Sequence, residues 1–438
     1  MPTENWRERF IIVMPFHDYI RRVRRFASRV RNSIVALDRL DEVAFSLGWA
    51  SRAAAHRSRH LALAPSRNGN IGDEAVTESF VALVGEPLAI IDHRKFPVPV
   101  VGTASVESVV LPHLLFRAGL RHYRDVWRFG RLVRSALSVS VFGTDVMDGA
   151  YSVRESVMRS RCARLAAVRG IPARVLGFSW NGTPAPTALR ALHAACDAGA
   201  QLMVRDPHSA DRLRVAGLTV TDVADLAFAD DRLDSTRAAG LRPWAERTRF
   251  ALVNVSGLIA ERLDVDQAAE HTEMVRYLLQ RGFDVVLVPH VRTGRYDDLL
   301  ACRELMSRVA PLLTESDPRV HLVDDLWTPA QIRALADRAA ITVTGRMHLG
   351  VISLSRAVPV VIVATQGKVS GLLSLFGLEK NLVVPNTGMG GAMVAAIDRT
   401  LADLAGVRAR LADSLPAVRG LALKNVAGLR VSTRSRQS

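Results

Sequence analysis

The stretch that decides the fold is residues 61–75, Leu61-Ala62-Leu63-Ala64-Pro65-Ser66-Arg67-Asn68-Gly69-Asn70-Ile71-Gly72-Asp73-Glu74-Ala75. Its first five residues form an apolar run with no polar alternation, the mark of a strand buried on both faces, as in a parallel sheet. The Asn- and Gly-rich turn that follows gives way to a helical apolar face beginning at Val76 and Phe80. A glycine-bearing strand-to-helix turn lets backbone approach a ligand and aims free N–H groups of the helix start at an anion. Asp73 is expected as the N-cap. The pattern is neither GxGxxG nor a phosphate loop, since no Gly-Lys-Ser/Thr occurs.

Working outward, similar apolar runs alternate with helical periodicity along most of the chain. They fall at Leu88–Ile91, Ser138–Phe142, Arg174–Phe178 and Gln201–Val204, then at Arg249–Val255, Asp284–Val288, Val320–Val323, Ala340–Val343 and Pro359–Ala364. A polar segment with Gly240 and Pro243, Asp230 to Arg249, separates two series. This predicts two doubly wound α/β domains facing a cleft, 61–240 and 245–425. A basic helical extension (1–60) precedes them and a frayed tail (426–438) follows. Ligands of such sheets bind at strand C-terminal ends. There the chain places Thr344-Gly345-Arg346-Met347-His348, Val204-Arg205-Asp206-Pro207-His208-Ser209, Asn254-Val255-Ser256-Gly257, Pro289-His290 and Phe142-Gly143-Thr144-Asp145. Arginine suits bidentate phosphate or carboxylate binding, and histidine transfers protons near neutral pH. Arg205 has a plain alternative, an ion pair with Asp206 in an Asp-Pro turn.

Of the 438 residues 49% are hydrophobic and 23% charged, enough for two or three packed domains and incompatible with disorder. Cys162, Cys196 and Cys302 lack metal-ligand spacing and read as thiols of a reducing compartment. No run of about 18 uncharged apolar residues occurs, so a soluble, cytoplasmic protein is expected. The net charge is +15, and all but four of the 58 basic residues are arginine. Twelve of those arginines, against six acidic residues, lie in 1–60. Arg117, Arg121, Arg124, Arg128, Arg131 and Arg134, spaced to fall on one helical face, form either a solvated stripe or a peripheral contact with an anionic membrane surface. No nucleic-acid module accompanies them, so no nucleic-acid partner is expected.

The run Gly69–Ala75 resembles the N-terminal signature of polysaccharide pyruvyl transferases. The stretches Trp327-Thr328-Pro329-Ala330, Gly345–His348, Ala357–Val360 and Lys368-Val369 to Phe376-Gly377-Leu378 are similar to later blocks of that family, as are Arg205-Asp206 with Ser209 and Asn254-Val255-Ser256. The resemblance spans roughly 61–385, in order. It implies a glycosyltransferase-B-like fold and transfer of a carboxyethylidene group from phosphoenolpyruvate, as donor substrate, to a sugar of a cell-surface polysaccharide or a lipid-linked glycan precursor. It implies that Arg205 and Arg346 hold the donor's phosphate and carboxylate and that His348 is the general acid. His290 or Asp73 would activate the hydroxyl, with Asn70, Gly72, Asn254, Ser256 and Lys368 as further binding residues. That chemistry calls for no metal and no cofactor. The chain departs from the pattern at Met347, at Phe142-Gly143-Thr144 and in its basic extension. The competing readings are a nucleotide-sugar glycosyltransferase, which would want an acidic residue on the ribose, and a non-catalytic glycan-assembly protein.

Overall fold

A computed structural model describes residues 34–429 apart from 52–55, 66–68, 86, 94–105, 242–243, 245, 247, 293–295, 314–318 and 365–366. Of the expected N-terminal extension, 1–33 and 52–55 lie outside the described residues, as does 430–438 of the tail.

The first half builds a seven-stranded sheet from β1 (Arg59–Leu63), β2 (Leu88–Asp92), β3 (Glu107–Val110), β4 (Ala136–Phe142), β5 (Ala173–Phe178), β6 (Gln201–Val204) and β7 (Thr221–Asp222). The order is β3-β2-β1-β4-β5-β6-β7, with every pairing parallel. Its helices are α1 (Ile34–Ala50), α2 (Ile71–Val84), α3 (Leu120–Arg134), α4 (Val153–Ala167), α5 (Pro186–Asp197) and α6 (Pro207–Val215). The second half repeats the plan with β8 (Phe250–Asn254), β9 (Asp284–Leu287), β10 (Val320–Leu322), β11 (Ile341–Thr344), β12 (Val360–Val363) and β13 (Leu382–Val383), again all parallel, in the order β10-β9-β8-β11-β12-β13. Its helices are α7 (Gly257–Arg262), α8 (Gln267–Gln280), α9 (Asp298–Val309), α10 (Pro329–Arg338), α11 (Met347–Leu354), α12 (Lys368–Ser374), α13 (Met389–Ala402) and α14 (Leu404–Lys424).

The ten strands expected from apolar runs all form, because each is buried against helices on both faces. The three additional strands, β3, β7 and β13, are edge strands of two to four residues, too short to show a pattern.

Three expectations need correction. Asp73 is not the N-cap of α2; Asn70 is, with its side chain accepting from Gly72 N at 3.0 Å, and Asp73 lies in the first helical turn. Arg117 precedes α3, which begins at Leu120, so the arginine stripe on that helix starts at Arg121. The last helix, which the range 245–425 placed with the second half, packs on both halves, its cluster holding Val351, Leu354 and Val360 of the second. Val407, Leu411, Leu415 and Val418 of α14 bury against the cluster that holds Phe80, Phe142, Leu176 and Phe228 of the first half. Burial of such a side chain contributes about 1.5–3 kcal/mol, enough to draw the chain back across. Arg174 of β5 then donates to the carbonyls of Asn425 and Ala427, each at 3.0 Å. Val426 and Leu429, placed in the frayed tail, are buried there.

Candidate active site

In each sheet the strand order reverses beside the first strand, between β1 and β4 and between β8 and β11, and the two crevices open onto one cleft. Such switch points are where open α/β sheets bind ligands, because the loops on either side diverge. The floor is a backbone junction between the halves. Asn70 bridges Val291, Ile71 N donates to His290 O at 3.1 Å, and Arg292 N donates to Gly69 O at 2.7 Å. Beneath it the fully buried Arg159 donates to Glu155 and to the carbonyls of Ala64 and Phe142, at 2.9–3.0 Å, pinning the ends of β1 and β4 together.

The cleft is lined from the first half by Asn70, Asp73, Thr144, Asp145 and Tyr151, and from the second by His290, Arg346, His348 and Lys368. Thr144 has a φ of 43°, in the left-handed region that side chains other than glycine rarely adopt. That turn aims Asp145 at Lys368, and the two form an ion pair across the cleft. Burial disfavours the Lys368 charge, but Asp145 and the Tyr151 ring oxygen more than offset this and hold its pKa above the ordinary lysine value.

His348, second residue of α11, packs on the backbone of α2. A Cβ at Gly72 would lie 2.5 Å from His348 Cγ and 2.6 Å from His348 Cβ. A side chain of the other half thus leaves room only for glycine at position 72. The imidazole Nε2 is 3.3 Å from Asp225 Oδ2 and 3.4 Å from Arg205 Nη1. Arg205, behind the cleft wall, donates from Nη1 to Asp225 at 2.7 Å and from Nε to Ser179 at 2.9 Å, so its partner is not Asp206. Asp206 instead caps α6. Burial works to raise the Asp225 pKa, but the His348 and Arg205 charges and the Ala227 N–H more than offset it, holding the carboxyl well below the usual range.

Arg346 is organised the same way by a second buried aspartate. Its Nε and Nη2 donate to Asp298 at 2.6–3.1 Å, and Nη2 also donates to Tyr296 O. Asp298 accepts as well from the backbone of Gly257, His290 and Val291 and from Asn254 Nδ2. Asn254 and Ser256 are fully buried behind the cleft, so as ligand contacts they are not brought to the site; Asn254 positions the Asp298 hub. His290 does reach the cleft. Burial, with the His348 and Arg346 charges, drives its pKa well below the ordinary value, so it is neutral.

Every expected cation therefore stands on an aspartate the sequence reading did not single out as a partner: Arg205 on Asp225, Arg346 on Asp298, Lys368 on Asp145. Asp225 lies three residues beyond β7, a strand too short to be read from the sequence, so no sequence signal marked it. Among the described residues, Arg205 Nη2, His290 Nδ1 and Nε2 and Ser256 Oγ are buried with no hydrogen-bond partner. A buried donor without an acceptor costs roughly 1–3 kcal/mol. The Arg205 donor beside a histidine is the chemistry of an anion site.

The sequence profile described as polysaccharide pyruvyl transferase matches residues 70–367, more than half of the chain. The chain belongs to the polysaccharide pyruvyl transferase family. The match to this transferase family runs from Asn70 to Gly367 and so takes in strands of both sheets. Two solved structures share its architecture. The UDP-GlcNAc 2-epimerase from Neisseria meningitidis, bound to UDP-GlcNAc, is 11% identical, with a TM-score of 0.54 over 85% of this chain and 99% of that one. A further UDP-N-acetylglucosamine 2-epimerase is 10% identical, with a TM-score of 0.55 over 85% and 95%. At this identity the likeness shows the fold, the two-domain glycosyltransferase-B-like arrangement. Among the described residues of the transferase no helix is long and apolar enough to cross a membrane.

Proposed function

We propose that the transferase moves the carboxyethylidene group of phosphoenolpyruvate onto two hydroxyls of a sugar in a cell-surface polysaccharide or glycolipid precursor. The observation that carries this reading is the set of basic groups the cleft gathers, with His348, Arg346 and Lys368 on its walls and Arg205 directly behind His348. Arg346, whose Nε and Nη2 are held by Asp298, offers its remaining nitrogen to the carboxylate, and Lys368 adds a third cation on the far wall.

The chemistry needs a proton at the donor's methylene carbon, a base for the attacking hydroxyl and stabilisation of the departing phosphate. His348 supplies the proton. Asp225 stands 3.3 Å from its Nε2 and Gly72 packs against the other edge of the ring, so the imidazole is held in one orientation. As the methylene becomes a methyl, one sugar hydroxyl adds to the neighbouring carbon. Loss of phosphate and addition of the second hydroxyl close the ketal, releasing the two hydroxyl protons in exchange for the one delivered. Asp73 is the base. Neutral His290, whose cation is disfavoured, is better suited to hydrogen-bond the acceptor than to take its proton. The phosphate departs with the second hydroxyl proton, beside His348 and the Arg205 charge behind it.

The test is incubation with phosphoenolpyruvate and a panel of glycans, following phosphate release and the ketal methyl resonance. The expected result is stoichiometric phosphate and ketal with at least one glycan, and loss of both in His348→Ala and Arg205→Ala. Full activity in those two variants, or donor binding unaffected by Arg346→Ala in calorimetry, refutes the site.

A further inference from the structure

Helices α1 and α3 pack so closely that they present one outer surface. A Cβ on Gly48 would strike the carbonyl of Trp127, and one on Gly130 would strike that of Phe45. His122 Nε2 meets Asp41 at 2.7 Å between them. Asp41, Phe45 and Gly48 point inward from α1; Val126, Phe129 and Val133 point inward from α3. What the pair leaves outside is unusual for solvent. Leu40, Val43 and Leu47 are 51%, 56% and 62% exposed, at the spacing of one helical stripe, and Leu120 at the start of α3 is 89% exposed. Beside them Arg121 and Arg124 project from α3. The acid of that helix, Asp125, is buried, accepting from His113 N and standing 3.8 Å from Arg124 Nε and Arg128 Nη1, while Asp38 and Glu42 of α1 turn to Arg161 and Arg164 on α4, so Arg121 has no acid of its own helix beside it.

We infer that this face is a docking surface for an anionic lipid bilayer, on which α1 and α3 lie in the interfacial plane. The apolar stripe supplies burial below the headgroups and the arginines supply attraction to anionic lipid, the combination that holds amphipathic helices at a membrane surface. Charge selects this occupant over the alternatives. A second copy would oppose its own arginine row to this one, and like charges facing each other weigh against such contact. The chain before α1 has eight arginines against three acidic residues in 1–33, so it too repels the row and is attracted to the same lipid. A polyanion in water would use the arginines and leave the leucines wet. This surface is independent of the reaction proposed above, and its test reads no activity.

The experiment is sedimentation of the full-length protein with phosphatidylcholine vesicles, with and without about one third phosphatidylglycerol, at about 0.1 M and 0.5 M salt. Binding is expected on the anionic vesicles, falling with salt, and little on the neutral ones. Arg121→Glu/Arg124→Glu is expected to lower the partition constant at least about tenfold. Leu40→Ser/Leu47→Ser is expected to lower it about tenfold or more. Val215→Ser, at a residue 90% exposed on α6, is the control and leaves it unchanged. Unchanged circular dichroism melting certifies the variants as folded. Equal partition of wild type and both double variants overturns the inference. So does an arginine effect with no leucine effect, which marks simple polyanion adsorption. A dimer in light scattering that Leu40→Ser/Leu47→Ser dissolves also overturns it, by making the stripe a contact between copies.

Discussion

Replacing Gly72 by alanine tests the site through a single methyl group. The new Cβ would stand 2.5 Å from His348 Cγ and 2.6 Å from His348 Cβ, about 1 Å inside the roughly 3.5–4.0 Å of ordinary carbon contact. The neighbours fix which part moves. On the α2 side the Cβ is attached to a helix start bonded through Ile71 to His290; on the other side the ring can turn about its rotatable bonds, while His348 Cβ moves only with the start of α11. The imidazole therefore shifts by about 1 Å, and a misplacement of that size costs about 10²-fold in rate, or roughly 2.7 kcal/mol in the barrier. Stability moves less: alanine is worth up to about 1 kcal/mol over glycine in a helix, against about 1–3 kcal/mol of overpacking. The assay is phosphate release from phosphoenolpyruvate with an active glycan, alongside thermal unfolding. A fall in kcat of about two orders with a nearly unchanged melting temperature is the expected pair of results. In a His348→Ala background the same substitution should cost nothing further, since the group it displaces is gone. Wild-type kcat in folded Gly72→Ala, or full additivity with His348→Ala, refutes the claim that Gly72 exists to seat the imidazole.

Asp225→Asn leaves a buried guanidinium without its counter-charge and is expected to cost about 3–5 kcal/mol in denaturant unfolding, with a fall in kcat of about 10²-fold or more as His348 loses its partner. Because its carboxyl is held below the usual range in the folded state, the stability Asp225 contributes is complete above about pH 4 and is lost as pH falls further. Urea titrations of wild type and variant should converge in that acid window. His271, buried in α8 with Nδ1 donating to Gln267 O, has its pKa lowered to about 4 by burial. The unfolded chain then binds the extra proton, so stability should drop by about 3 kcal/mol from this group between about pH 6.5 and 4, and His271→Leu should flatten the slope. Burial pushes the Cys162 and Cys302 thiols up to about 12; at pH 8 a thiol reagent should modify Cys196 rapidly and the other two at the rate of global unfolding.

The strands of both sheets were legible because parallel strands covered on two faces leave contiguous apolar runs, and the loop motifs were legible because they stand where those runs end. Asn70, Asp73, His290, Arg346, His348 and Lys368 do meet in the cleft. What stayed hidden was what each cation stands on. Asp225 is 20 residues from Arg205, Asp298 is 48 from Arg346 and Asp145 is 223 from Lys368. No spacing rule links such pairs, since they become neighbours only when loops from different strands converge on a switch point.

The arginine excess shows the same division. Sequence alone determined its size, its weight in the first 60 residues and the stripe that becomes the outer face of α3. Only the tertiary structure decided which arginines line or back the cleft, which face solvent and which hold the fold. Arg159 ties β1 to β4, Arg174 ties β5 to the returning end of the chain, and Arg333 donates to the carbonyl of Arg232 at 2.7 Å. The reason is physical: a guanidinium takes its role from the acceptors around it, and helix and strand periodicity report which face a residue occupies, not what the rest of the chain brings to meet it.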